Sequence, residues 1–152
     1  MHLSRCVMRF EKTTSAGFLA NHMARLFARH LSRSITPLDL APAQFMTLLE
    51  LWERDGLTQA ELVERLDVEQ ATLAITLKRM ERDGLIERRP HPEDGRAKLI
   101  WTTERARALE SEAKALAAGV NAVAMKGMSD AEKAQFTALM GRAISNLQND
   151  DA

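Results

Sequence analysis

Leu57-Thr58-Gln59-Ala60-Glu61-Leu62 opens a segment, closing at Leu99-Ile100-Trp101, whose local chemistry decides the fold. Thr58 and Glu61 form a capping box, in which the hydroxyl accepts from Glu61 N–H and the carboxylate from Thr58 N–H. Leu57 and Leu62 fall at the two positions of a hydrophobic staple, which sets the angle at which the chain enters the helix. Leu62, Val63 and Leu66 give this first helix a buried face. A turn at Asp67-Val68 leads to a second helix, where Leu73, Leu77 and Met80 repeat at helical spacing and point inward. Glu69 at its start is a poor cap but a favourable charge for the helix dipole. Gly84 then supplies a positive-φ stop. Leu85 to Arg89 and Ala97 to Trp101 read as paired strands, with Pro90, Pro92 and Gly95 punctuating the turn between them. Two short helices followed by a hairpin with a charged tip make a winged helix-turn-helix.

The second helix leaves Gln70, Thr72, Ile75, Lys78, Arg79 and Arg82 on its outer face. Gln pairs bidentately with adenine, Thr offers a hydroxyl and a methyl, and Arg and Lys suit guanine or phosphate. Such residues also make an ordinary solvated face, and helix-turn-helix spacing recurs by chance. The hairpin favours the nucleic-acid reading. It sets Arg88, Arg89, Arg96 and Lys98 against Glu87, Glu93 and Asp94. An arginine at the tip of a thin hairpin fits a narrow minor groove, whose negative potential attracts guanidinium. Asp94, two residues earlier, is placed to orient that guanidinium by a charge-assisted hydrogen bond.

Three further stretches join these: Leu40-Ala41-Pro42-Ala43-Gln44-Phe45, Arg79-Met80-Glu81-Arg82-Asp83-Gly84-Leu85-Ile86-Glu87-Arg88-Arg89-Pro90, and Asp94-Gly95-Arg96 with Leu99-Ile100-Trp101-Thr102-Thr103-Glu104. In these the chain resembles the multiple-antibiotic-resistance regulators (the MarR family), over nearly its whole length and in the same element order. The resemblance implies a homodimer that binds palindromic operators, usually as a repressor, and releases DNA on meeting a small aromatic or anionic effector or on oxidation. It places a recognition-helix hydroxyl at Thr72, the wing aspartate at Asp94 and the minor-groove arginine at Arg96. The expected DNA-contacting set is Gln70, Thr72, Ile75, Thr76, Lys78, Arg79, Arg88, Asp94, Arg96 and Lys98. Ile75 and Thr76 depart from the family's usual polar or basic and aliphatic residues, which bears on operator sequence rather than on the mode of binding.

The flanks read as helices. Ser15 to about Ser34 carries Phe18, Leu19, Met23, Leu26, Phe27 and Leu31 on one face, ahead of Pro37. Pro42 suits the first turn of the next helix, whose expected buried stripe is Phe45, Leu48, Leu49 and Trp52. Thr103 caps a long helix to about Lys126 with a small-residue seam. Ser129 and Glu132 make a second capping box before a last helix faced by Phe136, Leu139, Met140, Ala143, Ile144 and Leu147. The fold class is therefore mainly α with a small β-hairpin wing, in a single domain spanning 1–152. Residues 40–102 form the DNA-binding lobe, and 15–36 with 103–149 form a helical dimerisation region, since a lone lobe would leave those stripes exposed.

At 152 residues, 45% of them hydrophobic and 28% charged, the chain can bury one ordinary core. It has no run approaching the ~18 apolar residues of a membrane span. With a single cysteine and no apparent secretory signal, a cytoplasmic location is expected. The net charge of zero is unevenly spread: residues 1–38 sum to +5, 39–77 to −6 and 78–98 to +2. Counterion release depends on local cations rather than on the whole-chain sum.

No cofactor and no metal are expected, because His22 and His30 lie eight apart without a Cys, Asp or Glu in ligand spacing. His22 could instead line an effector pocket with Phe45, Leu49 and Trp52, although such a stripe is more often plain core. Cys6 resembles the sensor thiol of the peroxide-responsive branch only loosely, since the tyrosines that stabilise that thiolate have no counterpart in a chain without tyrosine. An enzyme is disfavoured: there is no nucleophile-base pair and no phosphate loop. The competing reading is a winged-helix module for protein contacts, with Gln70, Thr72 and Arg96 as incidental surface.

Overall fold

The computed structural model describes residues 9–151, so Cys6 lies outside them. The chain forms two compact units, Met1–Ala117 and Ala118–Ala152. The first element described in the first unit is a 3-10 turn, Lys12–Thr14. It then holds α1 (Ala16–Ile35), a second 3-10 turn (Thr36–Leu38), α2 (Pro42–Glu53), β1 (Leu57–Thr58), α3 (Gln59–Leu66) and α4 (Gln70–Arg82). After these come β2 (Ile86–Pro90), β3 (Lys98–Thr102) and the start of α5 (Glu104–Ala124).

The boundaries follow the local chemistry. Ser15 caps α1 by accepting from Phe18 N–H at 3.2 Å. The capping box of α3 is present in full, with Glu61 N–H on Thr58 Oγ1 and Thr58 N–H on Glu61 Oε1, both at 3.2 Å. Gly84 takes φ +70° after α4, a conformation that costs glycine no Cβ clash. Thr103 accepts from Ala106 N–H at 3.2 Å to open α5.

The sheet differs from expectation. It has three strands in the order β1-β3-β2, not two. Leu57 pairs with Ile100 and Thr58 with Leu99. A residue that caps a helix must itself be extended, and Thr58 is, at ψ 162°. That extension lays Leu57-Thr58 along β3, while the Leu57 side chain is driven into the core. Asp55 closes this corner: its Oδ1 accepts from Thr102 N–H at 2.8 Å and Gly56 N–H at 3.1 Å, and its Oδ2 from the Thr102 hydroxyl at 2.5 Å. Pro90, which has no N–H, is tolerated because β2 is an edge strand.

The core gathers Leu48 and Leu51 of α2, Leu62 of α3, Leu73, Leu77 and Met80 of α4, and Leu57, Leu85, Ile86 and Ile100 of the sheet region. The stripe of α2 is rotated from the expected one. Gln44, Phe45, Thr47, Leu48 and Leu51 are buried, whereas Leu49 and Trp52 are half-buried at the edge. Two polar residues can occupy that face because each is bonded, Thr47 to Ala43 C=O at 2.8 Å and Gln44 at both ends of its amide. In α1 only Ile35 is buried, and Phe18, Leu19 and Leu26 are exposed.

The second unit holds the end of α5 and α6 (Asp130–Asp150). Gly127, at φ +84°, makes the break. The expected capping box opens α6: Glu132 N–H donates to Ser129 Oγ at 3.1 Å and Ser129 N–H to Glu132 Oε1 at 3.0 Å. Over its whole length α6 buries no residue.

Candidate nucleic-acid interface

Burial of Leu73, Leu77 and Met80 leaves one face of α4 for solvent. Gln70, Thr72, Ile75, Lys78, Arg79 and Arg82 are all exposed on it. Among the described residues the side chains of Lys78 and Arg79 have no partner, so their charge is available to an incoming phosphate. Ile75, 55% exposed, offers an apolar surface of the kind that meets a thymine methyl. Thr76 stands apart: it is half-buried and its hydroxyl donates to Thr72 C=O at 3.1 Å, so its donor is already in use.

Residues 91–97, between β2 and β3, form an ordered loop. His91 Nδ1 accepts from both Glu93 N–H and Asp94 N–H at 3.1 Å. Asp94 Oδ1 accepts from the backbone N–H of Arg96 at 3.0 Å. The aspartate therefore sets the backbone that carries Arg96, where a bond to the guanidinium itself was expected. The Arg96 side chain is exposed, as is Lys98 at the start of β3.

The remaining wing cations are engaged. Arg88 Nε donates to Glu81 Oε2 at 2.9 Å, joining β2 to α4. An exposed pair of this kind is worth about 0–1 kcal/mol, weak enough for a phosphate to compete. Arg89 bonds Glu87 and lies over Trp101, 4.7 Å from the ring centroid. The same indole is close to Gly56, where an added Cβ would meet Trp101 at 2.5 Å.

Of the four residues expected to line an effector pocket, Phe45, Leu49 and Trp52 lie together on α2 and His22 lies on α1. Phe45 and Trp52 meet edge to face at 6.1 Å, and Phe45 belongs to the core. Trp52 Nε1 donates to Ala106 C=O at 3.1 Å, and Leu49 packs at the margin of the same core. His22 is exposed on α1, with Phe18 as its ring neighbour at 6.4 Å.

A polar cluster at the C-terminal end of α4 escaped the sequence reading. Gln44 Nε2 donates to Asp83 Oδ2 at 2.9 Å, and Arg82 Nε donates to Asp83 Oδ1 at 3.0 Å. The Arg82 bond first and the Gln44 bond second hold the Asp83 carboxyl below the usual carboxylate range. Asp83 C=O also accepts from Arg105, and Gly84 C=O from the Thr103 hydroxyl at 2.6 Å. Apart from the adjacent Arg82, these partners lie 19 to 39 residues apart, and nothing in local spacing announces them.

Known proteins share this architecture. The MarR family model matches residues 40–98. A MarR-family transcriptional regulator from Listeria monocytogenes, solved in complex with a 26mer DNA, is 26% identical. It superimposes with a TM-score of 0.83 over 90% of this chain and 91% of its own. The chain belongs to the MarR family. A mutant MarR from E. coli complexed with operator DNA is also 26% identical, with a TM-score of 0.78 over 84% of this chain and 91% of that one. The organic hydroperoxide resistance transcriptional regulator of Bacillus subtilis is 35% identical over 96 residues, which span 63% of this chain and 65% of the regulator. This chain is accordingly a winged-helix MarR-family transcription regulator, mainly helical with a small antiparallel sheet. Among the described residues, no helix is long and apolar enough to cross a membrane.

Proposed function

We propose that this MarR-family chain acts as a homodimer that binds a palindromic operator in double-stranded DNA and represses transcription. In this reading α4 enters the major groove with Gln70, Thr72 and Ile75 towards base edges. Thr76 backs them, Lys78, Arg79 and Arg88 meet phosphates, and Asp94, Arg96 and Lys98 form the wing contact. The observation that carries the reading is the pairing of an exposed polar face on α4 with an ordered wing whose Asp94 fixes the Arg96 backbone. The relatives solved with DNA support it. Dimerisation is assigned to α1, α5 and α6, where Phe18 and Leu19 of α1, Val123 of α5 and Leu139, Ile144 and Leu147 of α6 are exposed. A two-fold dimer calls for half-sites about one helical turn apart.

A small aromatic or anionic effector that weakens operator binding belongs to the same reading, with His22, Phe45, Leu49 and Trp52 as its candidate lining. A ligand that prefers one state must shift that state's stability. Aromatic acids that alter neither the melting temperature nor DNA affinity count against it.

The deciding experiment is selection of duplexes from a random pool, followed by binding of the recovered sequence over a salt series. A palindrome is the expected product. Arg96→Ala should weaken selected and random duplexes alike and flatten the salt slope by about one unit per lost phosphate-type contact. If Arg96→Ala leaves both affinities and the slope at wild-type values, the wing does not touch DNA and the protein-contact module takes its place.

A further inference from the structure

Gln44 is a buried polar side chain with both ends of its amide in use. Its Oε1 accepts from Ala41 N–H at 3.1 Å, and its Nε2 donates to Asp83 Oδ2 at 2.9 Å. The orientation is forced, since a flipped amide would set oxygen against carboxylate and NH2 against N–H. Asp83 is an unexpected residue for its position, the C-cap of α4, because a helix C-terminus carries partial negative charge and disfavours an acid. What offsets it is the donation from Gln44 and Arg82. The opposite end of α4 has no such fixing: Glu69 is its N-cap and makes no side-chain capping bond.

We propose that Gln44 is a positioning residue for sequence readout, its amide holding Asp83 and thereby the tilt of the recognition helix α4 against α2. This rests on α4 reading the operator, as proposed above. The apolar contacts of Leu73, Leu77 and Met80 are non-directional and set how close α4 lies. A hydrogen bond has a preferred direction and adds orientation. The leverage is considerable. Thr72 lies about 16 Å along the axis from Asp83, at ~1.5 Å per residue, so a tilt of about 10° about the C-cap moves it ~3 Å. That exceeds the tolerance of a base-edge hydrogen bond. Because α2 is anchored in the core by Leu48 and Leu51, it is a fixed reference for this tie.

The test uses the full chain, the duplex that the wild type selects from a random pool, and a random-sequence duplex of equal length. Gln44→Glu removes the donor and opposes two carboxylates. It should lower the selected-to-random affinity ratio about tenfold or more, as expected when a base contact is lost, while random binding stays within about twofold. Adding Asp83→Asn to it reverses donor and acceptor across the same gap, and should return the ratio to within about threefold of wild type. Asp83→Asn alone keeps an acceptor for Gln44 and should stay near wild type, which separates the effect from loss of the Arg82 pair. If Gln44→Glu does not fold, Asp83→Ala removes the acceptor from the half-buried end and should lose the ratio in the same way. A folded Gln44→Glu or Asp83→Ala with the wild-type ratio, or a double variant no better than Gln44→Glu, overturns the proposal. A wild-type chain that selects no duplex refutes the underlying reading instead, and the proposal with it.

Discussion

The winged lobe and α6 carry similar fractions of apolar residues and treat them in opposite ways. In the lobe, Leu48, Leu51, Leu57, Leu62 and Leu77 are completely shielded from solvent. In α6, Leu139, Ile144 and Leu147 are 50%, 54% and 69% exposed, and none of its residues is buried. The difference teaches what each region is for. The lobe's core is closed by its short connections and three-stranded sheet together with Ile35 of α1 and Ala106 and Ala113 of α5, which leaves its polar face on α4 free of packing. The apolar stripe of α6 is a surface with a use only when something covers it.

The largest expected effect tests the self-sufficiency of the lobe. Leu48→Ala leaves a cavity in a packed core and should cost about 2–5 kcal/mol of unfolding free energy. Leu139→Ala, at an exposed site, should cost a small fraction of that at concentrations where only the monomer is present. Denaturant titrations of both variants check it, and equal losses would erase the distinction between the two regions.

The next effect tests the open surface. Ile144→Asp should weaken self-association by about 2 kcal/mol for each copy, the scale of burying one aliphatic side chain. Sedimentation over a concentration series measures it. Unchanged association by this variant would place the dimer contact elsewhere. The lobe's melting should be unaffected at low concentration, because Ile144 lies outside its core cluster.

Smaller still is the readout expected of the lobe's exposed face. Thr72→Ala should cost on the order of 1–3 kcal/mol on the selected duplex and leave random-sequence binding nearly intact. That is the reverse of the pattern expected for Arg96→Ala. Equal losses on both duplexes would make Thr72 a backbone contact.

Legibility in the sequence followed the range of the interaction concerned. Capping boxes at Thr58 and Ser129, the stop at Gly84 and the inward set Leu73, Leu77 and Met80 depend on residues within a turn or two, and all are found where spacing put them. The β1 strand was missed because two residues show no periodicity, and their pairing with β3 depends on partners about forty residues away. The rotation of α2 was missed for a related reason. Gln44 and Thr47 look like surface residues until their acceptors are known, and the Asp83 acceptor lies 39 positions along the chain. In the candidate site, exposure of Gln70, Thr72 and Arg96 was readable from what the core must bury. The engagement of Arg88 by Glu81, and of Asp94 by a backbone N–H rather than a guanidinium, was not.

The smallest effect compares the same device in both regions. Thr58 with Glu61 opens α3 in the lobe, and Ser129 with Glu132 opens α6. Replacing either hydroxyl by alanine should cost about 1 kcal/mol, the usual worth of an N-cap. In both boxes a backbone N–H, that of Thr58 or Ser129, is the leading cause holding the glutamate below the ordinary carboxylate range. A carboxyl whose folded pKa is depressed binds its proton more readily when unfolded. Its contribution is therefore complete above the unfolded value of about 4.3 and is lost as pH falls through the lower folded value. Acid titration of stability should thus show each box fading below about pH 4.3, with no change between neutral pH and that point from these groups. The comparison sharpens when Thr58→Ala and Ser129→Ala are titrated beside the wild type. Thr58→Ala removes only the lesser, side-chain bond to Glu61 and keeps the backbone N–H, so it should flatten the acid limb of the lobe's unfolding only in part. Ser129→Ala, which likewise keeps the backbone N–H, should flatten in part only a transition that depends on protein concentration, since no residue of α6 is fully buried. A Ser129→Ala effect independent of concentration would show that α6 is stabilised within the protomer, and the contrast between lobe and helix would fail.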